Sequence, residues 1–73
     1  VDIATARQLF ATKMTEAGFR QADPQPGIVR WVSHDHLTTV RPVYVRSRNG
    51  QDITAVAAQI VEADGSVGGT VEI

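Results

Sequence analysis

Residues 52–63, Asp52-Ile53-Thr54-Ala55-Val56-Ala57-Ala58-Gln59-Ile60-Val61-Glu62-Ala63, decide the fold. At a period of 3.6, Ile53, Val56, Ala57, Ile60 and Val61 line one side of a helix that Asp52 would cap. Yet five of the eleven residues from 53 to 63 are Ile, Val or Thr, and β-branched side chains suit a pleated strand better. The flanks point the same way. Asn49-Gly50 before the stretch and Asp64-Gly65 after it are hairpin pairs, Asn-Gly being suited to a type I′ turn in which both central residues take positive φ. Residues 53–63 are therefore expected as a strand in a meander. A strand of about ten residues spans ~33 Å and needs strong twist or a bulge.

Working toward the N-terminus, residues 39–47 (TVRPVYVRS) read as a strand whose Pro42 cannot donate to a ladder, which calls for an edge position or a bulge. Residues 28–34 (IVRWVSH) read as another, joined to it by residues 35–38. Residues 20–27 (RQADPQPG) read as a loop, with two prolines and a glycine. Residues 3–17 carry Ile3, Ala6, Phe10, Met14 and Ala17 at spacings of three and four, widened by Leu9, an amphipathic helix. Asp2 is placed to cap it and Gly18 to end it in the left-handed C′ position, with Phe19 meeting Met14. Toward the C-terminus, SVGGTVEI alternates Val67, Val71 and Ile73 against Thr70 and Glu72, and Gly68-Gly69 permits a kink. The sum is a single α+β domain over residues 1–73: an N-terminal amphipathic helix, then a twisted antiparallel sheet of three to four strands (an α-β-β-β-β meander). With residues 53–63 helical the order becomes α-β-β-α-β.

One helix covers one face of a sheet, because strand side chains alternate. Here apolar residues fall on both parities. Ile28 and Val32 oppose Val29 and Trp31; Val43 and Val45 oppose Val40 and Tyr44; Ile53, Ala57 and Val61 oppose Val56 and Ile60. The uncovered face should carry an apolar patch, and such patches mark interfaces. Aromatic and arginine side chains dominate interface hot spots, which singles out Arg30, Trp31, Arg41, Tyr44, Arg46 and Arg48 as candidate partner-binding residues.

Net charge is −1 over 73 residues, too little for a global field that draws nucleic acid. Its distribution is uneven: residues 20–48 sum to +3 and residues 49–73 to −4. The arginines with Trp31 and Tyr44 contain the ingredients of a nucleic-acid surface, phosphate contacts plus stacking rings, set against acidic strands beside them. His34 and His36 would share a face if the strand ran through them, but two local ligands fall short of a metal site, and no metal is expected. Ser33, His34 and Asp35 are adjacent, so they alternate across a strand and make no relay. Gly68-Gly69 lacks the Lys-Ser/Thr and helix of a phosphate loop. No cofactor and no catalysis are expected.

There is no cysteine, so a chain that buries only ~60% of its extended surface gains no help from disulfides. Association is the remaining source of extra stability. No apolar run approaches the ~20 residues of a membrane span, and residues 1–19 lack the basic and apolar regions of a signal peptide, although the chain begins with Val and a leader could have been removed. The expectation is a cytoplasmic, non-catalytic protein-binding module of the inhibitor, immunity, antitoxin-like, or phage or plasmid accessory kind. Its partner would be another protein or a second copy in a homodimer. The alternative is a nucleic-acid-binding domain that uses the arginine-bearing strands.

Overall fold

The computed structural model describes residues 1–22 and 29–73. A single helix, α1 (Ile3–Glu16), precedes five strands: β1 (Phe19–Gln21), β2 (Trp31–Ser33), β3 (Thr39–Arg46), β4 (Ile53–Val61) and β5 (Val67–Glu72). They form one antiparallel sheet in the order β1-β2-β3-β4-β5. The α+β meander is thus as expected, and residues 53–61 are a strand. The sheet has five strands where three to four were expected. The additional one is Phe19–Gln21, three residues with no alternation of their own, which pair with Ser33, Val32 and Trp31. Arg20 and Gln21, expected in a loop over residues 20–27, thus belong to a strand; Pro24, Pro26 and Gly27 of that loop, and Ile28 at the start of the strand expected over residues 28–34, lie outside the described residues.

The ends of α1 follow local chemistry. The Asp2 carboxylate accepts the Thr5 N–H at 2.8 Å, using one of the donors a helix start leaves unpaired. The helix stops because Gly18 takes φ +86°, a conformation that costs side-chain-bearing residues ~1–2 kcal/mol. Its N–H donates to Thr15 O at 3.1 Å. The chain then reverses, so that Phe19 packs against the core that contains Met14.

α1 buries Ala6, Phe10 and Met14 against Trp31, Val40, Ile53, Val56 and Ala58. Phe10 is 1% exposed, and burying such a ring contributes about 1.5–3 kcal/mol. It meets Trp31 edge to face, ring centroids 6.1 Å apart at 68°, the orientation that sets a ring's positive edge on its neighbour's negative face.

Two bulges correct the simple parity of the strands. Val45 pairs with Ala55 but Arg46 pairs with Ile53, so Thr54 is an extra residue, and its hydroxyl donates to Val45 O at 3.3 Å. Ile53 was expected on the same face as Ala57 and Val61; the bulge instead returns it to the helix side, into the core. Similarly, Gln59 pairs with Thr70 and Val61 with Val67, leaving Gly68 and Gly69 both opposite Ile60. A Cβ on Gly68 would stand 2.8 Å from Glu62 Oε1, the free end of a side chain that can swing aside. Pro42 is tolerated within β3 because the last β2 partner of that strand is Val40; beyond it, β4 alone flanks the proline in the sheet register.

The Asn49-Gly50 turn also differs from type I′. Gly50 has φ +72° but Asn49 does not take positive φ. Gly50 N–H donates to Ser47 O at 2.9 Å and Ser47 N–H to Asp52 O at 2.7 Å, closing a four-residue loop. Asn49 Oδ1 accepts from Ser47 Oγ at 2.6 Å and from Gln51 N–H at 3.0 Å, and this side-chain bonding holds a different turn from the mirror-image one. The β2–β3 loop repeats the pattern: Asp35 Oδ1 accepts from Ser33 Oγ at 2.6 Å and from Leu37 N–H at 3.0 Å, and Ser33 N–H donates to Thr38 O at 2.9 Å.

Candidate protein-binding face

The face of the sheet turned away from α1 can be traced through the register. Arg20 pairs with Val32 and Val32 with Thr39; Arg41 pairs with Gln59 and Gln59 with Thr70; Val43 pairs with Ala57 and Ala57 with Glu72; Val45 pairs with Ala55. A polar band of Arg41, Gln59 and Thr70 therefore crosses the sheet between two apolar regions. One holds Val32, Val61 and Val67, the other Val43, Val45, Ala55 and Ala57. Val45 and Val67 are 47% and 52% exposed. Among the described residues, no helix or strand lies over this face.

Arg30 and Arg41 border a hollow of about 380 Å³ that Val29, Pro42, Val61, Gly65 and Val67 also line. Arg41 Nε donates to Gln59 Oε1 at 2.8 Å, which holds the guanidinium while leaving its outer nitrogens for another acceptor. Among the described residues the only ion pair joins the Val1 amino group to Asp52. Among the described residues Arg20, Arg30 and Arg41 thus have no ion-pair partner.

The residues singled out from sequence do not all gather here. Arg30 and Arg41 do. Trp31 does not: it is 9% exposed in the helix-side core, and its placement on an accessible face is corrected. The physical reason is size. A large ring gains most where α1 closes over it, and Phe10 supplies the contact. Tyr44 is partly buried on the same helix side, where burial pushes its hydroxyl above the usual tyrosine range. Arg46 pairs with Ile53 on that side and donates to Gly50 O at 3.3 Å. Arg48 sits in the 47–52 loop. All four aromatic residues, Phe10, Phe19, Trp31 and Tyr44, belong to the core or pack on it, so the open face holds no ring. Its valines were visible in the parity of Val43 and Val45, but their weight was assigned to the aromatics.

The histidines fall on a turn, since β2 ends at Ser33. His36 has φ +63°, and the Ser33 hydroxyl is committed to Asp35. Among the described residues, no three His, Cys, Asp or Glu side chains are grouped to hold a metal ion, and no helix is long and apolar enough to cross a membrane.

No protein-family model matches the chain, no curated protein is similar to it, and no solved structure matches it.

Proposed function

We propose that this domain is a non-catalytic protein-binding module that takes its partner on the open sheet face. One observation carries the reading: a single helix covers one side of the sheet, while Val32, Val43, Val45, Val61 and Val67 lie on the other side in two regions divided by the band of Arg41, Gln59 and Thr70, with Arg20 and Arg30 toward one edge and Glu72 toward the other. Apolar regions interleaved with arginines are a composition found at recognition surfaces. The partner that fits is a protein surface with apolar side chains and a carboxylate to meet Arg30 and Arg41, a charge-assisted pairing that arginine makes in bidentate fashion. A nucleic-acid role is less well supported, because single-strand binding relies on stacking rings and this face has none.

The test is to pan a displayed random peptide library on the immobilised protein. Enriched peptides should combine apolar residues with Asp or Glu. Their binding should fall about tenfold or more in Val45→Lys and in Arg41→Glu, both exposed positions where the fold should tolerate the change. Peptides that bind both variants as well as wild type overturn the proposal. So does tight binding of duplex or single-stranded DNA at low salt that weakens steeply as salt rises.

A further inference from the structure

β5 is exposed along its whole length, from Val67 to Glu72, and it ends the sheet. The opposite edge, β1, is only three residues long. Natural proteins shield a long edge with charged residues, proline, a bulge or a covering element; β5 has no lysine or proline, its one charge is Glu72, and its Gly68-Gly69 bulge protects only the first half, leaving Thr70–Ile73 as the regular part.

The direction of the main-chain groups in that part is known. Ile73 N–H donates inward to Val56 O at 2.9 Å. Antiparallel strands alternate, so Val71 also faces β4, and Thr70 and Glu72 turn their N–H and C=O groups outward. On the helix side of this edge runs an apolar strip: Val71 at 63%, Leu9 at 43% and Ile73 at 39% exposure. Leu9 and Ile73 also border a hollow of about 250 Å³ floored by Ile53 and Val56.

We infer that a second copy of this chain pairs here, β5 against β5 antiparallel about a two-fold axis through Val71, giving a continuous ten-stranded sheet. This register satisfies each feature at once. Thr70 of one copy and Glu72 of the other become hydrogen-bonded partners, twice over, which uses all four outward N–H and C=O pairs. The two Val71 side chains form the close, non-hydrogen-bonded pair. Ile73 lies over Gly69 of the second copy, where nothing stands within 4 Å of a would-be Cβ. Each Glu72 carboxylate faces a threonine, whereas a two-fold axis through Glu72 would set like charges directly opposite. Charge sets aside the axis through Glu72, and an axis through Thr70 would run Glu72 against Gly68 in the bulge, which leaves the register centred on Val71. The strip of Leu9, Val71 and Ile73 becomes continuous across the axis, between the two α1 helices. The contact is isologous, closes on itself and leaves the open faces free.

The chain has no cysteine, which makes the test clean. A non-hydrogen-bonded pair brings Cα atoms to about 4.5 Å, within reach of a disulfide. Val71→Cys should therefore cross-link to a dimer under mild oxidation, and Val45→Cys on the open face should not. By sedimentation, wild type should be dimeric, and Val71→Lys should dissociate it about tenfold more readily with an unchanged circular dichroism spectrum and a melting temperature that has lost its dependence on protein concentration. A protein that is monomeric across a wide concentration range overturns the inference. So does a dimer whose dissociation constant Val71→Lys leaves unchanged, or one that Val45→Lys disrupts instead, which would place the contact on the open face.

Discussion

His36 occupies in the β2–β3 loop the position that Gly50 occupies in the β3–β4 loop. Each follows an Asx residue whose side chain accepts the preceding serine hydroxyl and the N–H two residues on, and the two have φ of 63° and 72°. Only one of them is a glycine. His36→Gly should relieve a strain of ~1–2 kcal/mol and give back ~0.5–1 kcal/mol through the freer unfolded chain. The net is a gain of about 0.5–1 kcal/mol and a melting temperature a few degrees higher. Gly50→Ala should lose about 1 kcal/mol by the same logic. Thermal melts of the two variants check both signs.

The same pair of loops predicts a difference in acid. Hydrogen bonds from the Ser33 hydroxyl and the Leu37 N–H hold the Asp35 carboxyl below its usual range. Asp64, bonded by Ser66, and Asp2, bonded by Thr5, are lowered in the same way. A carboxylate lowered on folding adds stability that is fully present above the unfolded value, about 3.9 for aspartate, and is lost as pH falls through the folded value. Asn49 does the work of Asp35 in the other loop without a charge. Asp35→Asn should therefore keep the neutral-pH urea midpoint close to wild type and reduce its fall on acidification below about pH 4. A variant with the same acid slope as wild type refutes the assignment.

Trp31→Ala removes half of the edge-to-face contact and opens a cavity, a loss of about 3–5 kcal/mol. At roughly 0.05–0.15 kcal/mol per residue, a chain this short has only ~4–11 kcal/mol in total, so the variant should lose about a third or more of its stability and melt at a much lower temperature. Trp31→Phe keeps a ring against Phe10 and should remain folded. Circular dichroism and urea titration separate the two.

Thr54 is the extra residue of a bulge, which makes it removable. Without it, Ala55 still meets Val45 and Ile53 still meets Arg46 on the helix side, in an unbroken ladder. Deleting Thr54 should leave a folded protein with a native-like spectrum. Deleting Ala57, in the regular part of the same strand, reverses the faces of everything on one side of the cut and should abolish folding.

These bulges also mark where the fold ceased to be legible in the sequence. The helix, its Asp2 and Gly18 ends, and the strand at residues 53–61 followed from periodicity, caps and turn residues, because those signals are local. The side on which Ile53 lies did not, since a one-residue bulge leaves no mark in an apolar run. Phe19–Gln21 becomes a strand only by meeting β2, a pairing that three residues cannot announce. For the candidate face, parity required a second apolar side, and Arg30, Trp31, Arg41, Tyr44, Arg46 and Arg48 were singled out for it together; the register puts Arg30 and Arg41 there. Trp31 and Tyr44 were drawn to the other side by burial, which outweighs any tendency of rings to sit at interfaces.

The Gly68-Gly69 bulge has a consequence for how far molecules of this kind can stack. A straight, sticky border six residues long is a template on which chain after chain could add into a fibril. Bending it at the glycines leaves a flat run short enough for one neighbour, and once that neighbour has bound in the opposite direction no free border of the same strand remains for a third.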